Sequence, residues 1–377
     1  MPANQKIIAA HLWSGPRVKK LSARVLETVE ARTVAEALAL FARIERDRRT
    51  ISGGDLPWQS GWVGWISYDF GLEHLGARDR RKRRLLPLAR FHRVVPASRP
   101  VGRSPSDRRP TCRLLSRTDT RATYVRKILD AQEELRAGNA FEINLSQRWA
   151  WRFTREPDAF ELFEAASRAM RPRFGFFESC GHESIISCSP ELFFSIDGRK
   201  IIAEPIKGTA APDAKLLASK KDRAELLMIT DLFRNDLGKV CEPGSVQASG
   251  PHDMRLPYVR HLYARIFGNL RRGAALGGIL EACFPSGSIT GAPKIAACRI
   301  IDRLEPFARE EAFGAAGWIG RSQMAFTVLI RTALLRGRDL RYTAGGGITV
   351  YSNPAKEYEE SLMKARTFMK SLPVKNR

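Results

Sequence analysis

Apolar residues recur at helical spacing in several separate segments of the chain. In the segment ATYVRKILDAQEELRAGNA, the residues Val125, Ile128, Leu129 and Leu135 fall on one face of a helix. Gly138 follows them and can end that helix, because glycine adopts the left-handed conformation common at helix ends. The pattern therefore predicts an amphipathic helix here. The segment TVAEALALFARIERDRR, near the amino terminus, is also helix-like.

Two more segments predict helices and carry their own start signals or apolar stripes. In KKDRAELLMITDLFRNDLGK, the positions of Leu226, Ile229 and Phe233 have helical spacing. In SNPAKEYEESLMKAR, Asn353 is suited to the N-cap and Pro354 to the first helical position. The two predicted helices lie far apart in the sequence.

Strand patterns fill much of the remaining chain. GWVGWISYDF, FEINLSQRWAW, SIISCS and ELFFSI are rich in β-branched and aromatic residues. AFTVLIRTALL is an apolar strand pattern interrupted by Arg331. No internal repeat or low-complexity tract is present. The elements predict an α+β fold with large, mostly antiparallel sheets and helices packed outside them.

Composition places the chain among globular proteins. With 377 residues, 44% of them hydrophobic, it can bury a large core in one big domain or in two to three ordinary ones. The amino terminus lacks the order of a signal peptide, and no run of about 18 apolar residues occurs, so we expect a soluble, cytoplasmic protein with no membrane partner. The cysteines have no C-x-x-C spacing and predict buried, reduced thiols.

The charge is strongly and unevenly basic. The formal net charge is +23, and residues 78–121 hold fifteen basic residues against three acidic ones. Five prolines in the same stretch predict an irregular connector with a strand or two. A solvated basic connector is the favoured interpretation, and a phosphate-binding arm is the alternative. Without zinc-finger spacing or an RNA-binding aromatic signature, we expect no specific nucleic acid, and a basic nucleic-acid-binding protein remains the alternative from another class.

Two acidic pairs suggest a metal site. Asp222 and Glu225 lie three residues apart on one predicted helix, and Glu357 and Glu360 have the same spacing on another. Carboxylates on two facing helices can hold a hard cation such as Mg²⁺. The alternative is an ordinary salt-bridged helix surface, which Lys364, four residues after Glu360, would also fit.

Other segments suit anion binding. FPSGSITGAPK is a Gly/Ser/Thr loop that leads into a predicted helix beginning at Pro293, where free N–H groups could face a carboxylate or phosphate. Arg331 on an apolar strand needs an acidic partner or an anionic ligand. The glycines 345–347 allow close approach of a ligand, although turn geometry alone could also explain them. Lys207 in AEPIKGTA is either a solvated turn lysine or a reactive amine.

Seven motifs in order resemble one family. SPELFF, PIKGT, AELLMITDLFRNDLGKV, YVRHL, FPSGSITGAPK, IRTA and GGGITVYSNPAKEYEES resemble the chorismate-utilising enzymes over residues 120–370, and GWVGWISYDFGLE resembles their amino-terminal part. The resemblance implies the anthranilate synthase component I-like fold, Mg²⁺ as cofactor and chorismate as substrate. It also implies that residues 120–372 form the chorismate-binding catalytic domain. Residues 1–119 would then be an amino-terminal segment, with the basic connector, of the same fold.

Position 207 separates branches of that family. Members that form anthranilate usually read P-I-A-G-T, whereas members that aminate C4 of chorismate, a step towards para-aminobenzoate and folate, carry lysine as Lys207 does here. The resemblance thus implies C4 amination, with anthranilate formation as the alternative, and a separate glutamine amidotransferase subunit that supplies ammonia. Two residues depart from the family pattern: Glu142, where glutamine is frequent, and Phe313, where a tyrosine hydroxyl is frequent.

The resemblance also assigns roles. It implies that Lys207 attacks C2 of the substrate, that Glu191 is the general acid for the C4 hydroxyl, and that His261 assists near the leaving group. Glu225 and Glu360 would bind Mg²⁺, with Asp222 and Glu357 reaching its waters. The implied substrate-binding residues are Gly208, Thr209, Thr290, Arg331, Gly345, Gly346 and Gly347.

Overall fold

A computed structural model describes residues 7–13, 18–51, 60–78, 82, 84–96, 110–210, 217, 219–256 and 259–374. The strands are β1 (Ile7–Trp13), β2 (Val18–Ala31), β3 (Gly61–Ile66), β4 (Ala89–Pro96), β5 (Cys112–Arg117), β6 (Glu142–Phe153), β7 (Phe174–Cys180), β8 (Glu183–Ser189), β9 (Leu192–Asp197), β10 (Lys200–Glu204), β11 (Ile206–Ala210), β12 (Gln247–Arg255), β13 (Arg260–Asn269), β14 (Gly291–Ala292), β15 (Ala315–Ile319), β16 (Gln323–Val328), β17 (Thr332–Arg336) and β18 (Asp339–Ile348). The helices are α1 (Val34–Arg48), α2 (Tyr68–His74), α3 (Arg121–Arg136), α4 (Ala159–Met170), α5 (Lys220–Gly238), α6 (Leu276–Cys283), α7 (Lys294–Leu304) and α8 (Pro354–Ser371).

The strands pair into two large antiparallel sheets, as the sequence predicts. One sheet runs in the order β12, β13, β10, β9, β16, β15, β3, β4 and β2, and β11 also pairs with β13. The other runs in the order β1, β7, β8, β17, β18, β6 and β5, with the short β14 also on β6. The pairing of β1 with β2 joins the two sheets. Strands from residues 7–96 thus pair with strands from residues 174–319.

An apolar layer lies between the sheets. It contains Val63 and Trp65 of β3 and Trp318 of β15 from one sheet, with Phe176 of β7 and Leu334 of β17 from the other. The outer faces are covered by helices: α1, α2, α5 and α6 pack on one sheet, and α4 and α8 pack on the other. The prediction of helices outside packed sheets is confirmed.

A charged network is buried within this layer. The carboxylate of Glu178 accepts hydrogen bonds from Nε1 of Trp65 at 3.0 Å and from Nη1 of Arg90 at 3.5 Å, and it pairs with Nε2 of His92 at 2.7 Å. Burial alone would raise the pKa of Glu178, but the bond to His92 and the charge of Arg90 outweigh it and lower that pKa. Glu178 is therefore ionised at neutral pH.

The predicted helices are present, and the elements differ from the sequence prediction at three places. SYDF does not continue the strand: Ser67 caps α2, which begins at Tyr68, because the Ser67 hydroxyl accepts from the backbone N–H of Asp69. Arg331 does not interrupt one strand but separates two, β16 and β17, and adopts a left-handed φ of 56°. Pro293 is the N-cap of α7 rather than its first residue.

The basic connector contains β4 and β5, in keeping with the predicted strand or two. Some of its described cations are ion-paired: Arg78 and Arg84 both contact Glu73, and Lys82 lies 2.9 Å from Asp302. Others are exposed to solvent, as the favoured interpretation expects: Arg93, Arg113, Arg117 and Arg121. The following basic residues of the connector lie outside the described residues: Arg80, Arg81, Arg83, Arg99, Arg103, Arg108 and Arg109.

The cysteines form no disulfide. Five are buried and Cys180 is partly buried, which confirms the prediction of reduced thiols. Across the part of the chain that the structure describes, the helices are too short or too polar for any of them to cross a bilayer.

Candidate active site

Elements of both sheets and two helices surround one pocket. It lies where β11, β13 and β18 face α5 and α8. Of the residues that the sequence assigns to the site, those that line this pocket are Glu191, Lys207, Gly208, Thr209, Asp222, Glu225, His261, Arg331, Gly345, Gly347, Glu357 and Glu360. Residues that are distant in the sequence are thus gathered around one space.

Lys207 projects into the pocket from an irregular strand. The pairing of β11 with β13 shifts register between Lys207 and Thr209, and Gly208 has a φ of 66°, which a glycine adopts without strain. The lysine is 7% exposed. Its Nζ donates to Oε1 of Glu142 and, at 3.0 Å, to the carbonyl of Ser288. Lys207 is therefore buried and held at two points.

The Glu142 contact decides the charge of this lysine. Burial alone would lower the pKa of Lys207, but the charge of Glu142 and its hydrogen bond outweigh burial and raise that pKa. Beside Glu142, the ammonium form of Lys207 is therefore the stable one. A lysine nucleophile must therefore lose its proton after the substrate arrives, and burial by itself does not achieve this.

Glu191 is a buried carboxyl group on the opposite side of Ser288. It is 2% exposed, and burial raises its pKa to about 7, although the hydrogen bond from Ser288 and the charge of Lys207 act against that rise. The Ser288 hydroxyl donates to Oε1 of Glu191. A carboxyl group with this pKa is partly protonated at neutral pH, so it can act as an acid.

His261 is neutral at physiological pH. Burial and the positive charge of Arg331 together lower its pKa to about 3. Nδ1 lies 3.1 Å from the carbonyl of Gly208, which can only accept, so the proton resides on Nδ1. Nε2 is buried and has no hydrogen-bond partner among the described residues. It is left as an acceptor beside the pocket.

Carboxylates from α5 and α8 meet around two lysines. Nζ of Lys221 lies 2.9 Å from Glu357 and 3.6 Å from Glu225, and Nζ of Lys364 lies 2.7 Å from Glu360. Burial raises the pKa of Glu225 to about 7. In Glu360, the charge of Lys364 outweighs burial and lowers the pKa. The predicted salt-bridge alternative is thus present at the pocket, and Lys221 is also exposed to solvent.

The same carboxylates fit a divalent cation. Oε1 of Glu225 is buried with no hydrogen-bond partner in the described structure. Gly346 lies beside the same groups: a methyl group there would be 3.4 Å from Nζ of Lys364 and 3.7 Å from both Oε2 of Glu357 and Oε1 of Glu360. Among the described residues, no three metal-binding side chains are drawn together into a preformed cluster. The donor set is all hard oxygen, which Mg²⁺ prefers.

Each glycine of β18 lies where a side chain would meet different neighbouring atoms. A side chain at Gly345 would collide with the backbone carbonyl of Leu145, which requires close pairing with β6. At Gly347 it would collide with Oε1 of Glu142 and would lie 3.1 Å from Nζ of Lys207. Gly347 therefore makes room for the lysine–carboxylate pair. Gly346 is not among the lining residues, but faces the carboxylates of α8.

Arg331 lines the pocket at the break between β16 and β17. It is 5% exposed, and its Nη1 donates to the backbone carbonyl of Lys364. A φ of 56° is strained for a residue with a side chain. The break carries the guanidinium into the pocket, where a cation that makes no ion pair among the described residues suits an anionic ligand.

Thr290 is the other assigned residue that does not line the pocket. It is fully buried, and its hydroxyl donates to the carbonyl of Ser286 at 2.9 Å. Its carbonyl accepts from the backbone of Asn144 at 2.7 Å, so Thr290 fixes the loop against β6. Two lining residues, Lys221 and Ser288, were not predicted from the sequence, and Lys364 was predicted only as the salt-bridge partner of Glu360. The sequence contained signals for these residues. Lys221 and Lys364 each lie four residues from a predicted metal ligand, Glu225 or Glu360, and Ser288 lies in the serine-rich loop.

Comparison with known proteins identifies the family. The sequence profile of the chorismate binding enzymes matches residues 94–370. Aminodeoxychorismate synthase component 1 of Salmonella typhimurium is 34% identical over 84% of this chain and 78% of its own length. Anthranilate synthase component 1 of Cereibacter sphaeroides is 32% identical over 74% of this chain and 59% of its own length. These two kinds of relative match at similar identity.

Solved structures share the fold. An isochorismate synthase from Bacillus anthracis, described as putative and specific for 2,3-dihydroxybenzoate, superposes with a TM-score of 0.77 at 20% identity, covering 98% of this chain and 96% of that one. Anthranilate synthase component I from Streptococcus pneumoniae gives a TM-score of 0.74 at 22% identity, covering 98% and 92%. The chain belongs to the chorismate binding enzymes and acts on chorismate. The interpretation as a basic nucleic-acid-binding protein is therefore set aside.

Proposed function

We propose that the chain aminates chorismate at C4 to form 4-amino-4-deoxychorismate, the activity named for its Salmonella typhimurium relative. The observation that carries the proposal is Lys207, a buried side-chain amine in the pocket, which Ser288 links to the partly protonated Glu191. Amination at C4 needs a nucleophile and an acid at once, because hydroxide is a poor leaving group. The pocket offers both groups on either side of Ser288.

The first step forms a bond between the enzyme and the ring. Neutral Lys207 attacks C2, the ring double bonds shift, and the C4–O bond breaks while Glu191 gives its proton to the departing hydroxyl. The products are water and a lysine-bound ring. Glu191, which Ser288 orients, is left as a carboxylate and regains its proton from solvent.

The second step releases the product. Ammonia attacks C4, the double bonds shift back, and the C2–N bond to Lys207 breaks. Lysine leaves as the neutral amine and the product carries the new ammonium group. Lys207 is regenerated unchanged at the end of the cycle, so it serves as a nucleophilic catalyst.

Charges on the substrate match the pocket. Chorismate carries two carboxylates, and Arg331 together with the backbone at 345–347 would bind the enolpyruvyl one. Glu225 and Glu360 would hold Mg²⁺, with Asp222 and Glu357 beside them. The ion, when bound, would supply positive charge against the ring carboxylate near Gly208 and Thr209. His261, neutral and with Nε2 as acceptor, would take a hydrogen bond near the leaving group.

Ammonia would come from a separate glutamine amidotransferase subunit. A glutaminase needs a reactive thiolate, whereas burial raises the pKa of Cys112 and Cys241 to about 11 and of Cys188 and Cys283 to about 12. Burial also raises the pKa of Cys298. These thiols are unsuited to nucleophilic attack at neutral pH.

Formation of anthranilate is the second candidate, because the Cereibacter sphaeroides relative that bears this name is 32% identical. One assay separates the two. The purified chain is incubated with chorismate, Mg²⁺ and an ammonium salt, and the products are separated and weighed by mass spectrometry. We expect a non-aromatic C4-amino product. Fluorescent anthranilate as the main product would replace the proposal, and the absence of any amino product would refute both.

A further inference from the structure

The contact between Lys207 and Glu142 needs an explanation that the proposed function does not supply. Glu142 is fully buried at the start of β6, and it is not among the residues that line the pocket. It reaches the substrate only through Lys207, whose Nζ donates to its Oε1. Its other oxygen, Oε2, is buried with no hydrogen-bond partner among the described residues. A buried carboxylate with a free oxygen has capacity for a proton.

The surroundings keep this pair intact. Gly347 has no side chain, and any side chain there would displace Oε1 of Glu142. Nζ of Lys207 also donates to the carbonyl of Ser288, whose hydroxyl donates to Glu191. Ser288 thus links the lysine to the acid, while Glu142 lies behind the lysine.

The chemistry needs a proton acceptor at this place. Glu191 has to be protonated to release the hydroxyl, so it cannot also take the proton of Lys207 in the same step. His261 holds its proton on Nδ1 against Gly208, and no contact joins it to the lysine in the described structure. Glu142 is the carboxylate in hydrogen-bond contact with Nζ.

We propose that Glu142 accepts the proton of Lys207 when chorismate binds, holds it while the lysine is bonded to the substrate, and returns it when the product leaves. The inference rests on the proposed function. The transfer converts the ammonium and carboxylate into a neutral amine and a carboxylic acid. Rotation about the Cε–Nζ bond then turns the lone pair towards the pocket, while N–H bonds to Glu142 and Ser288 remain available. No proton enters or leaves the pair during the cycle.

A distinctive pH dependence follows. In the wild type, the reactive form of the pair contains as many protons as the resting form, so ionisation of Lys207 adds no slope to the rate. In Glu142→Gln, the lysine must lose its proton to solvent first, and the rate falls about tenfold per pH unit below the pKa of Lys207. The other charged groups that face the pair or its pocket are common to both proteins: Glu191, Asp222, Glu225, His261, Lys221, Arg331, Glu357, Glu360 and Lys364.

The experiment measures formation of the lysine-bound ring. Wild type and Glu142→Gln are mixed with chorismate and Mg²⁺ without ammonia at several pH values between 6.5 and 9. Samples are quenched at successive times, and the masses of the intact proteins are measured by mass spectrometry. We expect the ratio of the variant's rate to the wild-type rate to rise with pH, at about tenfold per pH unit below the pKa that Lys207 has in the variant. Glu142→Asp keeps a carboxylate and is expected to be slower than wild type by a factor that is independent of pH.

A matched control removes a similar pair outside the pocket. Lys127 and Asp119 are also buried and lie 2.8 Å apart. Asp119→Asn should change stability but keep the wild-type pH profile. Circular dichroism checks that each variant is folded.

The outcomes separate the two proposals. A ratio of Glu142→Gln to wild type that stays constant with pH, or equals one, would overturn the role of Glu142 while the wild-type adduct keeps the proposed function. Absence of the adduct and of the C4-amino product in the wild type would overturn both.

Discussion

Glu191 and Glu225 both have a pKa of about 7, and burial is the main cause in each case. Although the two pKa values are equal, the groups around Glu191 and Glu225 suit them to different roles. Glu191 receives a hydrogen bond from Ser288, which orients a carboxyl group that can give up a proton. Glu225 keeps a buried oxygen without a hydrogen-bond partner in the described structure and faces carboxylates of α8, which suits a cation. The pKa value alone does not define a role; the donors and charges nearby do.

The metal proposal predicts the effect of Glu225→Gln. The change removes one anionic ligand and little volume, so we expect the Mg²⁺ concentration for half-maximal turnover to rise about tenfold or more. The stabilisation of the folded chain by Mg²⁺, measured as a shift in Tm, should shrink in parallel. Glu359→Gln, at an exposed position of α8, is the control. An unchanged half-maximal concentration and an unchanged Tm shift would contradict the site.

Gly347 gives a test of the space around Lys207. In Gly347→Ala, the added methyl group must displace Glu142 or Lys207, so we expect kcat to fall about 100-fold with a smaller change in stability. Gly278→Ala is the control, because its methyl group meets open space in α6 and alanine favours a helix. Steady-state kinetics with ammonium salt measures both. Wild-type kcat in Gly347→Ala would show that the pair is not needed.

At the scale of elements, local signals were sufficient for the helices that carry the site. Asn353 accepts from the backbone N–H groups of Ala355 and Lys356, so the start of α8 follows from neighbouring residues. The break at Arg331 could not be predicted, because a left-handed non-glycine residue is imposed by tertiary packing. The Lys207–Glu142 contact was also missed: 65 residues separate the two, and sheet pairing brings them together.

The cap of α8 links stability to the site. Asn353→Ala removes the side-chain acceptor and should lower the free energy of unfolding by about 1 kcal/mol. Because Glu357 and Glu360 lie in the first turns of α8, the half-maximal Mg²⁺ concentration should rise as well. Thr33→Ala, at the N-cap of α1, should lower stability similarly and leave the Mg²⁺ dependence unchanged. Equal Mg²⁺ dependence in the two variants would show that the first turn of α8 does not position the ligands.

At the scale of the whole molecule, the two sheets enclose both apolar side chains and ionised groups. Glu178 contacts Trp65, Arg90 and His92 in this layer. Removing one partner of such a buried network leaves the others without their counter-charge. The network therefore joins β3 and β4 of one sheet to β7 of the other.

Glu178→Ala tests this description. We expect the free energy of unfolding at pH 7 to fall by about 3–5 kcal/mol, with little change in turnover per folded molecule. Because the pKa of Glu178 is lowered on folding, its contribution is present above its ordinary value of 4.5 and is lost as the pH falls through the lower folded value. Urea unfolding at several pH values measures the difference. Glu183→Ala, which loses a more exposed partner of Arg90, should cost less than about 1 kcal/mol. Equal losses would contradict the network.

The central claim is that Lys207 bonds to the substrate, and a mass measurement tests it most directly. The chain is incubated with chorismate and Mg²⁺ without ammonia and is then denatured and digested. The masses of its peptides are measured by mass spectrometry. Lys207→Ala and Lys207→Arg are treated in parallel, because a guanidinium stays protonated and cannot attack. We predict an adduct on the peptide that contains Lys207, its absence from both variants, and a large loss of C4 amination in each. No adduct in the wild type, together with near-normal amination by Lys207→Arg, would contradict the account.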